Sequence, residues 1–194
     1  MERKSIPSML TTTDAIVLSL QPQSDKAHVL HAYTRAGGRV NYKVYGLGRK
    51  NSAEKYSPLS VLQLTTDERS IRTAQLTFVP TSLTTDPYKR TIALFLSEVL
   101  YHVLRHPMVD EPMYDFIAHA VEQLDQTDEP QNFHLLFLID FAAKLGFEME
   151  KTPDLPSTRK QRQDTLKQLC AYFAEHVETW QNPKSLDILM EVFD

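Results

Sequence analysis

The chain has 194 residues, of which 42% are hydrophobic and 24% are charged, and its net charge is −4. This balance is typical of one medium or two small globular domains and excludes a disordered or fibrous protein. The single cysteine, Cys170, excludes an intrachain disulfide and any metal site built on several cysteines. Because the N-terminus lacks a signal-peptide pattern and no apolar run approaches the ~20 residues that cross a bilayer, we expect a cytoplasmic protein.

The charge is divided unevenly along the chain. Residues 1–80 carry a net charge of +5, whereas residues 81–194 carry −9. A basic half suits a polyanion, and an acidic half repels one. The alternative is that charge differs between the halves for solubility alone. We place a domain boundary here, with a nucleic-acid-binding domain over 1–80 and a helical protein-interaction domain over 81–194.

The first 80 residues show the pattern of short β-strands separated by turns. The five predicted strands are Ala15–Leu20, Ala27–Arg35, Arg39–Tyr45, Leu59–Thr66 and Arg72–Val79. The first is expected to stop at Gln21-Pro22. In the third, Val40, Tyr42 and Val44 alternate with polar residues, which places Tyr42 in the core. Five short strands in about 70 residues predict a closed barrel of the OB-fold type.

After Pro80 the apolar residues recur at helical spacing, which predicts an all-α second part. Asp86 is the expected N-cap of its first helix, with Pro87 at the first helical position. The later elements are a second helix opening at Asp110, a third from about Gln131 to Leu145 with Gly146 as its C-cap, a loop over Glu148–Gln163, a fourth helix through Leu166–Val177, and a short last helix after Pro183.

No motif of an enzyme is complete in this sequence. The phosphate-binding, dinucleotide-binding and serine-hydrolase patterns GxxxxGK[ST], GxGxxG and GxSxG are absent. Glu98, His102 and His106 have metal-ligand spacing on the first predicted helix, so a metal-dependent hydrolase is one hypothesis. Pro107 frays the helix beside His106, and we interpret the two histidines as a surface pair. Cys170 lies on an apolar helix face and is interpreted as a core thiol.

The informative segment lies between Lys26 and Lys55. Its seven basic residues face one acid, Glu54, and four tyrosines are interleaved with them. Proteins that bind single strands combine a positive groove with aromatic rings on which bases stack. The predicted DNA contacts are Lys26, Arg35, Arg39, Lys43, Tyr45, Arg49 and Lys50. The alternatives are a solvated loop at Lys50 and Lys55, and a protein adaptor whose basic face is incidental.

The order of several short motifs resembles that of the RecO family. They are Thr13-Asp14-Ala15-Ile16-Val17-Leu18, Ser24-Asp25-Lys26, Tyr33-Thr34-Arg35 with Gly37-Gly38-Arg39, Tyr45-Gly46-Leu47-Gly48-Arg49-Lys50, Pro58-Leu59-Ser60-Val61-Leu62, Ser97-Glu98-Val99-Leu100, Phe137-Leu138, Lys144-Leu145-Gly146-Phe147 and Lys184-Ser185-Leu186-Asp187-Ile188-Leu189 with Val192-Phe193. No single motif is decisive, but their order and spacing together are specific and span nearly the whole chain.

The resemblance implies an N-terminal OB-fold followed by a helical domain. It implies a recombination mediator in DNA repair that binds single- and double-stranded DNA and anneals complementary strands. The implied partners are RecR and the acidic tail of the single-strand binding protein, with which the family helps to load RecA. It implies no enzyme activity and a bacterial cytoplasmic location at the nucleoid. The family's DNA contacts match Lys26 and Arg39 best.

One region departs from the family pattern. Many relatives carry a four-cysteine zinc site after the Leu-Gly-Phe segment, whereas Glu148–Gln163 is short and has no cysteine. Zinc is therefore not carried over, and we expect no cofactor. Either the chain is a compact variant or residues are missing from this stretch.

A protein-binding spot is predicted in the acidic half. An acidic tail needs local basic residues, because charge complementarity steers such contacts. The dense basic set that adjoins the third and fourth helices is Lys144, Arg159, Lys160, Arg162 and Lys167. The tail's carboxylates would lie on this set and its apolar tip between the helices. The alternative is a solvated loop.

Overall fold

The computed structural model describes residues 10–47, 53–149 and 153–192. These form two compact units. One comprises the described residues of Met1–Phe78 together with His106–Glu111, and the other comprises those of Val79–Arg105 and Pro112–Asp194. No helix among the described residues is long and apolar enough to cross a membrane.

The first unit is a closed five-stranded barrel with the strand order β1-β2-β3-β5-β4, which confirms the predicted OB-fold. Its strands are β1 (Leu10–Ser24), β2 (Ala27–Thr34), β3 (Gly38–Tyr45), β4 (Val61–Asp67) and β5 (Ser70–Leu76). All neighbours pair antiparallel except β3 and β5, which meet in parallel at the single pair Lys43↔Ser70. This pair closes the sheet into a barrel, the arrangement by which all-β folds limit their open strand edges.

The barrel core consists of inward-facing residues from each of the first four strands. Tyr42 lies in it, as its alternation with Val40 and Val44 predicts. The fully covered side chains are Ala15, Val17, Leu30, Ala32, Leu62 and Leu64. Burial of one such leucine contributes roughly 1.5–3 kcal/mol, so the barrel rests on these alternating positions.

The first strand is longer than predicted, because it does not stop at Gln21-Pro22. β1 pairs with β4 up to Ile16 and with β2 as far as Ser24, with bulges after Val17 and after Pro22. Val17 still bonds through its backbone to Leu59 and Ser60, and beyond it the strand pairs that the described residues form are with β2. A strand with one unpaired edge tolerates proline, since the missing amide costs no ladder hydrogen bond on that edge.

The segment His106–Glu111 packs on the barrel although it is remote in sequence. The Arg39 amide donates to the His106 carbonyl at 3.3 Å. Gly38 has φ +61°, and a Cβ built on it would lie 2.2 Å from the Met108 carbonyl oxygen. Only glycine combines this left-handed conformation with such a close backbone approach.

The second unit is helical, as predicted. Its helices are α1 (Ser82–Thr85), α2 (Pro87–Val103), α3 (Glu111–Gln126, whose first residue belongs to the barrel unit), α4 (Phe133–Lys144), α5 (Arg159–His176) and α6 (Leu186–Val192). Asp86 caps α2 by accepting from the amides of Tyr88 and Lys89. Gly146, at φ +88°, donates to the Ala143 carbonyl beyond the end of α4, as expected of a glycine C-cap.

The predicted loop over Glu148–Gln163 ends too late, because α5 begins at Arg159. The Thr158 hydroxyl accepts from the Gln161 amide, and the Gln161 side chain accepts from the Thr158 amide. This is a capping box, whose Thr-x-x-Gln pattern is present in the sequence. Pro153 and Pro156, which precede this pattern, favoured a loop in the prediction, so the start of the helix was placed too late.

A network of hydrogen bonds around Asp125 and Lys89 holds the start of the helical unit in place. The Asp125 carboxylate accepts from the amides of Thr81, Ser82 and Leu83 at 3.1, 2.8 and 2.7 Å. Lys89 is buried, and its Nζ donates to the Ser82 hydroxyl and the Asp125 carbonyl, both at 2.7 Å. Burial opposes ionisation of Asp125, but the hydrogen bonds outweigh it and lower the pKa of the carboxyl group.

Helices α4 and α5 run in the same direction. Asn132, just before α4, donates to the carbonyl of Pro156, just before α5, at 3.0 Å. At the other end, the Tyr172 hydroxyl of α5 donates to the carbonyl of Phe147, which follows α4, also at 3.0 Å. The starts of the two helices are therefore close together, and so are their ends.

We expect Gly38→Ala to destabilise the barrel more than Gly46→Ala does. Both glycines have positive φ, so each alanine costs about 1–2 kcal/mol of backbone strain. A Cβ at Gly46 meets nothing within 4 Å, whereas one at Gly38 overlaps Met108, which adds about 1–3 kcal/mol. Urea unfolding followed by circular dichroism measures the free energy of unfolding of both variants. Equal losses of stability would show that His106–Glu111 moves aside for the new Cβ without cost.

The helical unit should lose stability in acid through His134. Burial, and then the Arg162 charge, lower the pKa of His134 to about 3, against 6.5 in an unfolded chain. Between these values only the unfolded state binds the proton, so the free energy of unfolding falls as the pH falls from about 6.5 to 3. His134→Gln should flatten this part of the profile, and the exposed His119→Gln should leave it unchanged.

Candidate nucleic-acid interface

The outer face of β3 carries the predicted DNA-contacting residues. Arg39, Lys43 and Tyr45 point outward, opposite to the buried side chains of Tyr42 and Val44. Alternation along the strand therefore places them as the sequence predicts. The two ends of this face have different surroundings.

The end of β3 near Gly38 is covered. Tyr33 lies opposite Arg39 on β2 and is only 3% exposed. Burial and the neighbouring Asp110 charge raise the pKa of Tyr33 to about 12. Arg39 is half-buried beside His106–Glu111. This end offers little surface to a nucleic acid.

Arg35 is held by two carboxylates. Its guanidinium lies 3.9 Å from Asp14 and 3.6 Å from Glu111, measured between nitrogen and oxygen. A phosphate would have to compete with both. Arg35 therefore lies where the sequence predicts but is committed to the barrel's own structure.

The other end of β3 is open. Lys43 is exposed and Tyr45 is 58% exposed. Ala27 pairs with Tyr45, so the exposed Lys26 of the β1–β2 turn adjoins this end. We call Lys26, Lys43 and Tyr45 the tip cluster. Arg49 and Lys50 lie outside the described residues.

A second turn adjoins the tip cluster although the sequence prediction did not include it. The Lys43 amide donates to the Arg69 carbonyl at 2.7 Å, across the pair that closes the barrel. Glu68 and Arg69 form the whole β4–β5 turn. No local pattern joins residue 43 to residue 69, because only barrel closure brings them together.

Lys55 has a structural role. Its Nζ donates to the Ala74 carbonyl of β5 at 3.2 Å and lies 5.3 Å from the centre of the Tyr56 ring. It thereby satisfies an acceptor on β5. We therefore exclude it from the candidate interface.

The predicted protein-binding set is not one cluster in space. Arg159 donates to the Met190 and Glu191 carbonyls at the end of α6, and Arg162 lines a small cavity with His134. Lys144, Lys160 and Lys167 are exposed. Because α4 and α5 are parallel, Lys144 at the end of α4 is about 16 Å from the level of Lys160.

A groove of about 530 Å³ lies between α3 and α4. Phe116, Leu136 and Phe137 line its apolar part, and Asp140 is on its rim. The Lys144 ammonium lies 6.0 Å from the centre of the Phe116 ring. The groove thus combines apolar surface with one nearby cation.

The metal-ligand hypothesis loses its geometric basis. α2 ends at Val103, so His102 and His106 are not on one helix. Glu98 accepts from the amide and the hydroxyl of Ser185 at 2.9 and 2.8 Å. No group of three or more histidine, cysteine, aspartate or glutamate residues in the described part of the chain is arranged to hold a metal ion.

Comparison with known proteins gives the family. A profile described as "Recombination protein O C terminal" matches residues 84–152. "DNA repair protein RecO" of Porphyromonas gingivalis is 33% identical over 159 residues, which cover 76% of this chain and 63% of that protein. The chain belongs to the RecO family.

Two other members of the RecO family show how the lengths compare. The Phocaeicola vulgatus protein is 34% identical over 148 residues, and the chain covers 61% of it. The Christiangramia forsetii protein is 26% identical over 238 residues, which cover 95% of this chain and all of that protein. The chain thus spans less than two thirds of the Porphyromonas and Phocaeicola proteins. The alignment with the Christiangramia protein, at 238 residues, is longer than this chain of 194 residues.

Proposed function

We propose that the chain is a non-enzymatic recombination mediator in DNA repair whose barrel binds DNA at the tip cluster. The observation that carries this proposal is the exposure of Lys43 and Tyr45 on one strand face of an OB-fold. Membership of the RecO family supports it, since the relatives are named DNA repair proteins. The family resemblance adds annealing of complementary strands and assistance to RecA loading with RecR.

The two kinds of side chain in the tip cluster have different tasks. The ammonium groups of Lys26 and Lys43 neutralise phosphates and release counterions, which makes binding salt-dependent and independent of base sequence. The Tyr45 ring offers a face on which a base stacks, and such a stack contributes about 1–3 kcal/mol. Together they bind a strand without reading its sequence.

Lys43→Ala and Tyr45→Ala should weaken oligonucleotide binding in different ways. Lys43→Ala should reduce the slope of log K against log salt by about 0.7 on a single strand. Tyr45→Ala should lower the affinity about 5- to 150-fold, the equivalent of one lost stack, with the slope unchanged. Fluorescence anisotropy of a labelled oligothymidylate at several salt concentrations measures both quantities.

Arg35→Ala is the matched control for these variants. Its guanidinium is bound by Asp14 and Glu111, so the affinity should stay within about twofold. If Lys43→Ala behaves like Arg35→Ala and the salt slope is flat, the barrel does not hold phosphates. A protein adaptor with an incidental basic face would then be the better assignment.

We also propose that the groove between α3 and α4 receives the acidic tail of the single-strand binding protein. An apolar residue at the end of that tail would occupy the pocket lined by Phe116, Leu136 and Phe137. Lys144 would then lie close enough to pair with a carboxylate. Of the five residues predicted for this partner, Lys144 supports the proposal, because its ammonium lies 6.0 Å from the centre of the Phe116 ring.

Lys144→Glu should therefore abolish capture of the single-strand binding protein by this chain, whereas Lys160→Glu should not. Both variants change the charge equally on exposed helix surface, but only Lys144 adjoins the groove. Pull-down with the intact partner and with its tail-deleted form measures the effect. Equal capture of the two forms by the unchanged chain would contradict a tail-dependent contact.

A further inference from the structure

We propose that Arg69, in the β4–β5 turn, completes the tip cluster as a third cation and that this site prefers single-stranded DNA. The inference rests on the proposed DNA-binding function and assigns it a residue outside the basic segment Lys26–Lys55. The juxtaposition that carries it is the closing pair of the barrel, which places Arg69 next to Lys43.

The strand register places three cations on, or directly before, three adjacent strands of the barrel. Lys26 directly precedes β2, Lys43 lies on β3, and Arg69 directly precedes β5. The order β2-β3-β5 is continuous, and adjacent strands lie about 4.8 Å apart, so the three strands span roughly 10 Å across the sheet. In OB-folds the β1–β2 and β4–β5 turns flank the face that binds oligonucleotides.

Arg69 differs from the other arginines of the barrel in its contacts. Arg35 pairs with Asp14 and Glu111, and Arg72 pairs with Asp67. Arg69 is exposed, and within the described ranges its guanidinium has neither an ion-pair nor a hydrogen-bond partner. A phosphate that binds it therefore displaces no described side chain.

The acidic neighbours of the site are few. Asp67 is engaged by Arg72, while Asp25 and Glu68 are exposed next to Lys26 and Arg69. These two carboxylates reduce but do not cancel the attraction of three cations for a strand of phosphates. Glu68 has φ +53°, a conformation imposed by the two-residue turn that brings Arg69 to Lys43.

Tyr45 decides between a single strand and a duplex. Its ring is 58% exposed and makes no aromatic contact with other described residues. Bases of a single strand are free to stack on such a ring, whereas those of a duplex are already stacked on each other. The cations therefore hold either form, and the ring adds affinity for the single strand alone.

The test compares Arg69→Ala with Arg35→Ala in the full chain. Both remove an arginine from the barrel unit, but Arg35 is held by Asp14 and Glu111 away from the tip cluster. Arg69→Ala should lower the affinity for oligothymidylate about eightfold at ~50 mM salt and reduce the salt slope by about 0.7. Arg35→Ala should change neither beyond about twofold in affinity, and Arg69→Lys should retain the slope because it keeps the charge.

The outcomes separate this inference from the function on which it rests. If Lys43→Ala and Tyr45→Ala weaken binding while Arg69→Ala equals Arg35→Ala, Arg69 is not part of the site and the proposed function stands. If none of these variants weakens binding, both fail. A duplex of equal length that loses as much affinity as the single strand in Tyr45→Ala overturns the single-strand preference.

Discussion

The hydrogen bond from the Lys43 amide to the Arg69 carbonyl, 2.7 Å long, sits where the barrel closes. β3 and β5 share only the pair Lys43↔Ser70, so closure depends on this short stretch. One such bond contributes only about 0.5–1.5 kcal/mol. Its larger effect is geometric, because it brings the β4–β5 turn to the exposed end of β3. The proposed DNA site therefore depends on the closure of the fold.

The same strand shows what the sequence could predict and what it could not. The alternation of Val40, Tyr42 and Val44 placed Lys43 and Tyr45 on the outer face correctly, since a strand has a period of two residues. Nothing local indicated that His106–Glu111 covers the end near Gly38, because that contact joins residues about seventy positions apart. Arg39 was predicted to be a DNA contact from its strand face, its basic neighbours and the family resemblance. It is half-buried because this segment packs beside it.

In the helical unit, capping residues predicted the start of α2 and the end of α4 correctly, whereas closeness in sequence did not predict which side chains lie close in space. The Asp86-Pro87 start and the Gly146 cap were predicted from residue types whose backbone preferences are strong. Lys144 and Lys160 were grouped because few residues separate them. They lie towards opposite ends of a helix pair, since α4 and α5 run in the same direction. Arg159 was counted as a surface charge but caps α6.

The most direct test of this account is a map of backbone amide chemical shifts during titration of the ¹⁵N-labelled full chain with oligothymidylate. The account predicts shifts at Lys43 and Tyr45 on β3 and at Lys26 and Arg69 in the adjoining turns, and little change at Tyr33 and Arg39. Shifts centred on Tyr33 and Arg39 would show that a nucleic acid displaces His106–Glu111 and binds the covered end. That result would contradict the account.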